Sequence, residues 1–248
     1  MRKREECPLC GAPADAVRHF VTTAKGYDLY ECVCGLVYGK EYYDDDKIFS
    51  IYDEDYAKGY EKPELVKLIR SYADRFFGGK ARGRLFEVGC GNGHLLRRLA
   101  ELGFTVRGVE VGQALAAYCE GLDVKVMPFE EMRVPPPPGR FDYVVTFHVL
   151  EHIVDPVAAV KKIAKMLTPD GLWFNYQPNV RAWRPDVHGP GWIHFDPMNA
   201  AEHITFFDEN TIRVLAEKAG LKVVDGGAES DDFWTWARKP VAPAQSDG

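Results

Sequence analysis

The sequence predicts an α/β fold: a doubly wound, mostly parallel sheet with helices on both faces. Three observations carry that expectation. The first is Leu85-Phe86-Glu87-Val88-Gly89-Cys90-Gly91-Asn92-Gly93, followed by His94-Leu95-Leu96-Arg97-Arg98-Leu99, which reads as a buried strand, a glycine loop and an amphipathic helix. The second is alternation: strand 84–88, helix 93–102, strand 104–109, helix 112–120 and strand 122–126, with Gly103 and Gly121 at the helix stops. The third is that the chain closes on two strand-like runs, 221–226 and 231–238, with no helix between them, so that they pair antiparallel. With 141–146 and 172–177 they make a Rossmann-like sheet of about seven strands whose last strand is antiparallel.

The 248 residues suffice for one large domain or a domain with a small module. Hydrophobic residues make up 46% and charged residues 27%, the balance of a soluble globular chain. A net charge of −6 argues against duplex nucleic acid or an anionic membrane as the main partner, since both want a basic face. There is no bilayer-length apolar run and no signal-peptide core near the N-terminus, so a cytoplasmic protein without membrane or nucleic-acid partners is expected. The oligomeric state is left open.

The glycine loop is where a ligand is expected. Gly89, Gly91 and Gly93 let the backbone turn sharply and approach a bound group. Val106-Arg107-Gly108-Val109-Glu110 reads as the next strand, ending in an acid about 20 residues on, where such folds place a carboxylate on ribose hydroxyls. A dinucleotide fingerprint wants its third glycine at His94, which argues against a nicotinamide enzyme. Glu87, at the tip of the first strand, opposes a pyrophosphate but suits a cationic tail. The ligand these residues describe is an adenosine with a sulfonium and an ammonium, S-adenosylmethionine.

The ordered set E-V-G-C-G-N-G, Val109-Glu110, Phe141-Asp142-Tyr143-Val144-Val145 and Val149-Leu150-Glu151-His152 resembles the class I S-adenosylmethionine-dependent methyltransferases over residues 60–238. The resemblance implies cofactor contacts from Glu87, Gly89, Cys90, Gly91, Gly93, Glu110, Val111, Phe129, Glu130, Phe147 and His148. Where many relatives carry an adenine-binding acid, this chain has Met127-Pro128, so adenine is expected against Met127 and the backbone amides of Phe129 and Glu130.

Taken in order, residues 1–40 form a small module. Cys7-Pro8-Leu9-Cys10-Gly11 is a metal knuckle, and Cys32-Val33-Cys34-Gly35 is its candidate partner, one residue shorter than the usual C-x-x-C. Clustered cysteines in a cytosolic chain read as metal ligands rather than disulfides. The layout is similar to the zinc ribbon that precedes some class I methyltransferases, which implies a closed, structural zinc on Cys7, Cys10, Cys32 and Cys34. His19 is the alternative ligand, and a metal-free ribbon is the other possibility. Cys90 and Cys119 read as small buried hydrophobes.

Residues 41–61 are acidic and rich in tyrosine, either a linker or a segment folded over the cofactor with Tyr52 and Tyr56 lining it. The methyltransferase domain follows over 62–238. Pro63 opens a covering helix, with Leu65, Leu68, Ile69, Tyr72 and Phe76 at helical spacing and Gly78-Gly79 as the stop. Pro135 to Pro138 is a stiff connection, helix 155–167 opens at Pro156, and Thr168-Pro169-Asp170-Gly171 is a turn. Residues 178–200 lack any period but are dense in aromatics, and read as a substrate lid carrying Trp183, Trp192, His194, Asp196 and Pro197. Asp208 caps helix 208–219, Gly220 ends it, and 239–248 form a frayed tail.

Methyl transfer to oxygen or carbon needs a base, and the candidates are His148, His152, His194 and His203. By resemblance to the ubiquinone-type O-methyltransferases, His148, Glu151, His152 and Asp155 are also a candidate divalent-cation set. The function expected is S-adenosylmethionine-dependent methylation of a small molecule, at oxygen ahead of carbon. The competing expectations are a non-catalytic cofactor-binding protein whose ribbon docks a partner and, third, a nicotinamide-dependent oxidoreductase.

Overall fold

The computed structural model describes residues 1–43, 45–134, 139–195 and 201–240. The proline run 135–138, the lid residues Asp196 and Pro197, Asp44 of the acidic segment and most of the tail lie outside them. The N-terminal module contributes strands β1 (Arg18–Thr22), β2 (Asp28–Glu31) and β3 (Val37–Gly39). Helices α1 (Asp45–Phe49), α2 (Glu54–Gly59) and α3 (Pro63–Phe77) lead into the main sheet. That sheet is built from β4 (Arg84–Val88), β5 (Thr105–Glu110), β6 (Val124–Val126), β7 (Phe141–Phe147), β8 (Leu167–Pro178), β10 (Lys222–Glu229) and β11 (Asp232–Arg238). The short β9 (Thr205–Phe206) lies elsewhere. Helices α4 (His94–Glu101), α5 (Gln113–Ala116), α6 (Pro156–Met166), α7 (Pro185–His188) and α8 (Glu209–Lys218) complete the set.

The main sheet runs β10-β11-β8-β7-β4-β5-β6. Strands β4 through β8 pair parallel, and β11 runs antiparallel to both of its neighbours. The strand order reverses between β4 and β7, which opens a crevice at their carboxyl ends. Alternation along β4 feeds two cores: Phe86 and Val88 pack under α6 and α8, while Leu85 faces the other way with Phe76, Phe77 and Leu96 of α3 and α4. Asp155 and Asp208 cap α6 and α8, and Thr211 completes a capping box on α8, worth about 1 kcal/mol per cap.

Three local expectations are corrected. The helix expected over 112–120 is only α5, followed by a 3-10 turn over Ala117–Cys119 that brings the Cys119 thiol to the Gly91 carbonyl at 3.3 Å. The turn at 168–171 is absorbed into β8 as an irregularity: Leu167 pairs with Phe141 and Leu172 with Tyr143, so five residues of advance oppose two. The segment expected as a lid is not devoid of regular structure, since it contains turns at Val180–Ala182 and Gly189–Gly191 around α7.

The N-terminal strands join a segment from the far end of the chain. The second sheet is four-stranded, ordered β9-β3-β2-β1 and antiparallel throughout. Arg181 clamps this sheet to the α8 cap, reaching Glu31 at 2.9 Å, Asp208 at 2.8 Å and the Gly35 carbonyl at 3.0 Å. Trp192, Phe195, Phe206, Leu29 and Val37 form the core between the sheet and the lid.

Candidate active site

A cavity of about 520 Å³ occupies the crevice, within the range of small-molecule sites. Its floor is the carboxyl ends of β4, β5 and β7, and α1, α2 and the turn between them roof it with Ile48, Phe49, Tyr52 and Tyr56. Asp53 caps α2 by accepting from the Tyr56 amide at 2.9 Å, and Asn92 ties the glycine loop to that roof by donating to the Ala57 carbonyl at 2.9 Å.

The cofactor end is built from backbone. Gly89 and Gly91 take positive φ of 64° and 52°, and a Cβ on Gly89 would lie 2.8 Å from Val149. Glu110 Oε2 accepts from the Gly91 amide, and its Oε1 accepts from the Val111 and Gly112 amides, each at 2.8 Å. Burial pushes the Glu110 carboxyl upward, and those amides oppose the rise. Glu87 is buried with Oε2 unpartnered, and burial, Cys119 and Glu110 hold its carboxyl well above the usual range. An orphaned acid beside a fixed ribose-type carboxylate fits a ligand with a cationic tail, so these residues fit S-adenosylmethionine. Cys90, Val111, Phe129, Glu130, Phe147 and His148 also line the cavity. Gly93 is not on its wall: at φ 74° it is the turn into α4, packed against Cys119 and Leu122.

The other end holds the histidines. His148, just past β7, has φ 52°, and its Nδ1 stands 3.2 Å from Glu151 Oε1. Burial lowers the His148 pKa, but the Glu151 hydrogen bond and the charges of Glu151 and Asp232 outweigh it, so the net direction is up. Glu151 is held down at about 2: burial opposes that, and the charges and hydrogen bond of the histidines win. His152 Nδ1 donates to the Glu202 carbonyl at 3.1 Å and His203 Nδ1 to the His194 carbonyl at 2.7 Å, so Nε2 is the ring nitrogen each leaves for another partner. Burial and neighbouring imidazoles push His194 down to about 4 and His203 to about 3.

Glu151, His152 and His203 bring ligand atoms within 4.8 Å of one another. Asp155 is not with them: its carboxylate caps α6 on the Ala158 amide. Trp183 and Trp192 are likewise absent from the cavity wall, because both are consumed in packing the lid onto the N-terminal sheet. Sequence reasoning missed Asp232, Glu202 and Tyr72, which do line it. Asp232 lies outside any motif, Glu202 belongs to the Glu202-His203 segment before α8 that resembles the family but signals no role of its own, and Tyr72 reads as ordinary helix spacing.

The four N-terminal cysteines converge. Their sulfurs lie within 4.8 Å of one another, with Cys7 to Cys34 at 3.8 Å and Cys10 to Cys32 at 3.5 Å. Thiolates around a tetrahedral zinc stand about 3.8 Å apart. The short Cys32-Val33-Cys34 pair therefore still closes a tetrad. His19 is not part of it: it is exposed beside Thr22 and Asp28.

Residues 56–225 match a family model described as a methyltransferase domain, well over half of the chain, and the chain belongs to that family. It is a class I S-adenosylmethionine-dependent methyltransferase, similar to ubiquinone O-methyltransferases. A ubiquinone biosynthesis O-methyltransferase of Idiomarina loihiensis is 30% identical over 174 residues, which cover 64% of this chain and 68% of that protein. A chain from the complex of the Haloferax volcanii Trm112 methyltransferase activator with a methyltransferase superposes with TM-score 0.62 at 15% identity, covering 79% of this chain and 97% of that one. A SAM-dependent methyltransferase from Archaeoglobus fulgidus superposes with TM-score 0.58 at 18% identity, covering 70% and 94%. At such identities the structural likenesses speak to the fold alone. No helix among the described residues is long and apolar enough to cross a membrane.

Proposed function

We propose that this methyltransferase acts on a hydroxyl oxygen of a small molecule, with His148 as its base. The observation that carries the reading is the His148–Glu151 pair: Glu151 occupies Nδ1, leaving Nε2 toward the cavity. When bound, S-adenosylmethionine supplies an electrophilic methyl group on a sulfonium. Glu87 and Glu110 hold its cationic tail and ribose. His148 Nε2 takes the acceptor's hydroxyl proton, and Glu151 stabilises the imidazolium. The α1–α2 roof keeps water from the reacting groups. The relatives named as O-methyltransferases favour oxygen over carbon.

The cysteine tetrad is read as a structural zinc site: four sulfurs, closed geometry, no open position. A second reading of the histidine wall is favoured by the convergence of Glu151, His152 and His203, which offer one carboxylate and two imidazoles to a divalent cation.

Calorimetry with S-adenosylhomocysteine and a product screen over hydroxylated small molecules test the proposal. Wild type binds the ligand, and Glu110→Ala weakens it by about 1–3 kcal/mol. His148→Ala retains binding but loses turnover by about 10²-fold or more. Binding without any methylated product would leave a cofactor-binding protein, and turnover that returns only with added divalent cation would favour the second reading.

A further inference from the structure

Asp232 has no role in the mechanism above, yet it stands inside the cavity opposite the base. It opens β11 at the tip of the β10–β11 hairpin. Its Oδ1 is buried without a hydrogen-bond partner. His148 Nε2 lies 3.8 Å from that oxygen and His194 Nε2 3.9 Å, both too far for a direct hydrogen bond. The other carboxylate oxygen accepts from the Tyr176 hydroxyl at 3.5 Å.

The positive charge nearest Asp232 is the His148 imidazolium, 3.8 Å away and shared with Glu151. Among the described residues no lysine or arginine lines the cavity. His148 is engaged by Glu151, and His194 stays neutral at physiological pH. Arg75, on α3, pairs with Glu229 instead. Burial raises the Asp232 carboxyl most, the His148 charge and the Tyr176 hydrogen bond oppose it, and Glu151 and Asp231 add to the rise, so the net direction is up. Beside it is an aromatic wall. Tyr72 and Phe147 line the cavity with ring centroids 5.4 Å apart, and Tyr176 stacks on Phe147 at 4.6 Å. A desolvated carboxylate next to aromatic faces attracts a cation and repels an anion.

We propose that Asp232 selects the methyl acceptor, and that the acceptor carries a cationic amine as well as its hydroxyl. The proposal rests on the reading that this end of the cavity holds the acceptor. Asp232 takes the ammonium, the Tyr72–Phe147 wall packs the carbon skeleton, and the hydroxyl reaches His148. Acceptors bearing a carboxylate or phosphate are excluded by the same charge pattern.

The test uses the full chain saturated with S-adenosylhomocysteine and three phenols that differ only in the charge of their para substituent: tyramine, para-ethylphenol and para-hydroxyphenylacetate. Calorimetry should show tyramine binding about tenfold tighter than para-ethylphenol, with para-hydroxyphenylacetate weakest. Asp232→Asn should remove the preference for tyramine while S-adenosylhomocysteine still binds, which also shows that the variant is folded. Equal binding of tyramine and para-ethylphenol, a preference that survives in Asp232→Asn, or no tyramine binding at millimolar concentration overturns the proposal. Failure of S-adenosylhomocysteine to bind wild type would instead overturn the reading of the cofactor site.

Discussion

His148 shows how the surroundings of one residue set its charge and orientation. Its positive φ turns the chain at the end of β7 so that the ring meets Glu151 three residues on. The net upward shift of His148 means that its basic form is lost as pH falls through a value above that of a free imidazole. In Glu151→Gln the larger of the two charges that favour the imidazolium is gone, Asp232 remains, and so does the lowering effect of burial. The acidic limb of kcat/KM should therefore move to lower pH, while the plateau rate falls by about 10²-fold because the ring loses its orienting partner. A pH–rate profile of the two proteins checks this, and an unmoved limb would remove His148 as the base. The motif placed Glu151 and His152 near the chemistry, but no spacing rule distinguishes a ring that faces the cavity from one that braces the backbone. His152 spends Nδ1 on the Glu202 carbonyl far along the chain, which only the folded chain brings close, and His203 spends its own on the nearer His194 carbonyl.

At the scale of elements, the glycine loop was the most legible part of the sequence, because its conformation is dictated locally. Gly91 and Gly93 share positive φ but differ in surroundings: a Cβ on Gly91 meets nothing within 4 Å, whereas on Gly93 it lies 2.9 Å from Leu122 and 3.0 Å from Cys119. Gly91→Ala should cost about 1 kcal/mol of stability, the left-handed penalty alone. Gly93→Ala should cost about 2–4 kcal/mol, because overpacking is added. Urea unfolding of the two variants tests the difference, and equal losses would contradict the packing described. The α5 and β8 boundaries were less legible. One is set by the Cys119 thiol reaching the Gly91 carbonyl, the other by a bulge opposite Phe141, and neither contact is local. The aromatic lid misled for a similar reason: Trp183 and Trp192 are equally suited to bind a substrate or to fill a core, and the core took them.

Across the whole molecule, the N-terminal sheet and the active site share one hydrogen-bonded framework. Gly39 donates to the Ile204 carbonyl at 3.1 Å, Ile204 donates to the Glu151 carbonyl at 2.8 Å, and Thr205 Oγ1 donates to the Leu150 carbonyl at 3.1 Å. Cys7, Cys32 and Leu36 also pack into the core beneath the main sheet. Loss of metal from the tetrad is therefore expected to loosen the wall that holds Glu202 and His203. The protein as purified should carry about one zinc per chain, and Cys32→Ser or a strong chelator should lower Tm by several degrees or more. Metal analysis with thermal unfolding decides this, and an unchanged Tm in a zinc-free protein would establish a metal-free ribbon. The sequence by itself determined the sheet and the glycine loop, because strand alternation and glycine conformations are short-range properties written along the chain, whereas the folded chain is what brings the four cysteines together. Only the tertiary structure decided the histidine end of the cavity. Its wall is assembled from β7, the lid, the segment before α8 and the β10–β11 hairpin, and side chains so far apart in sequence acquire their partners, burial and charge only when packing brings them together.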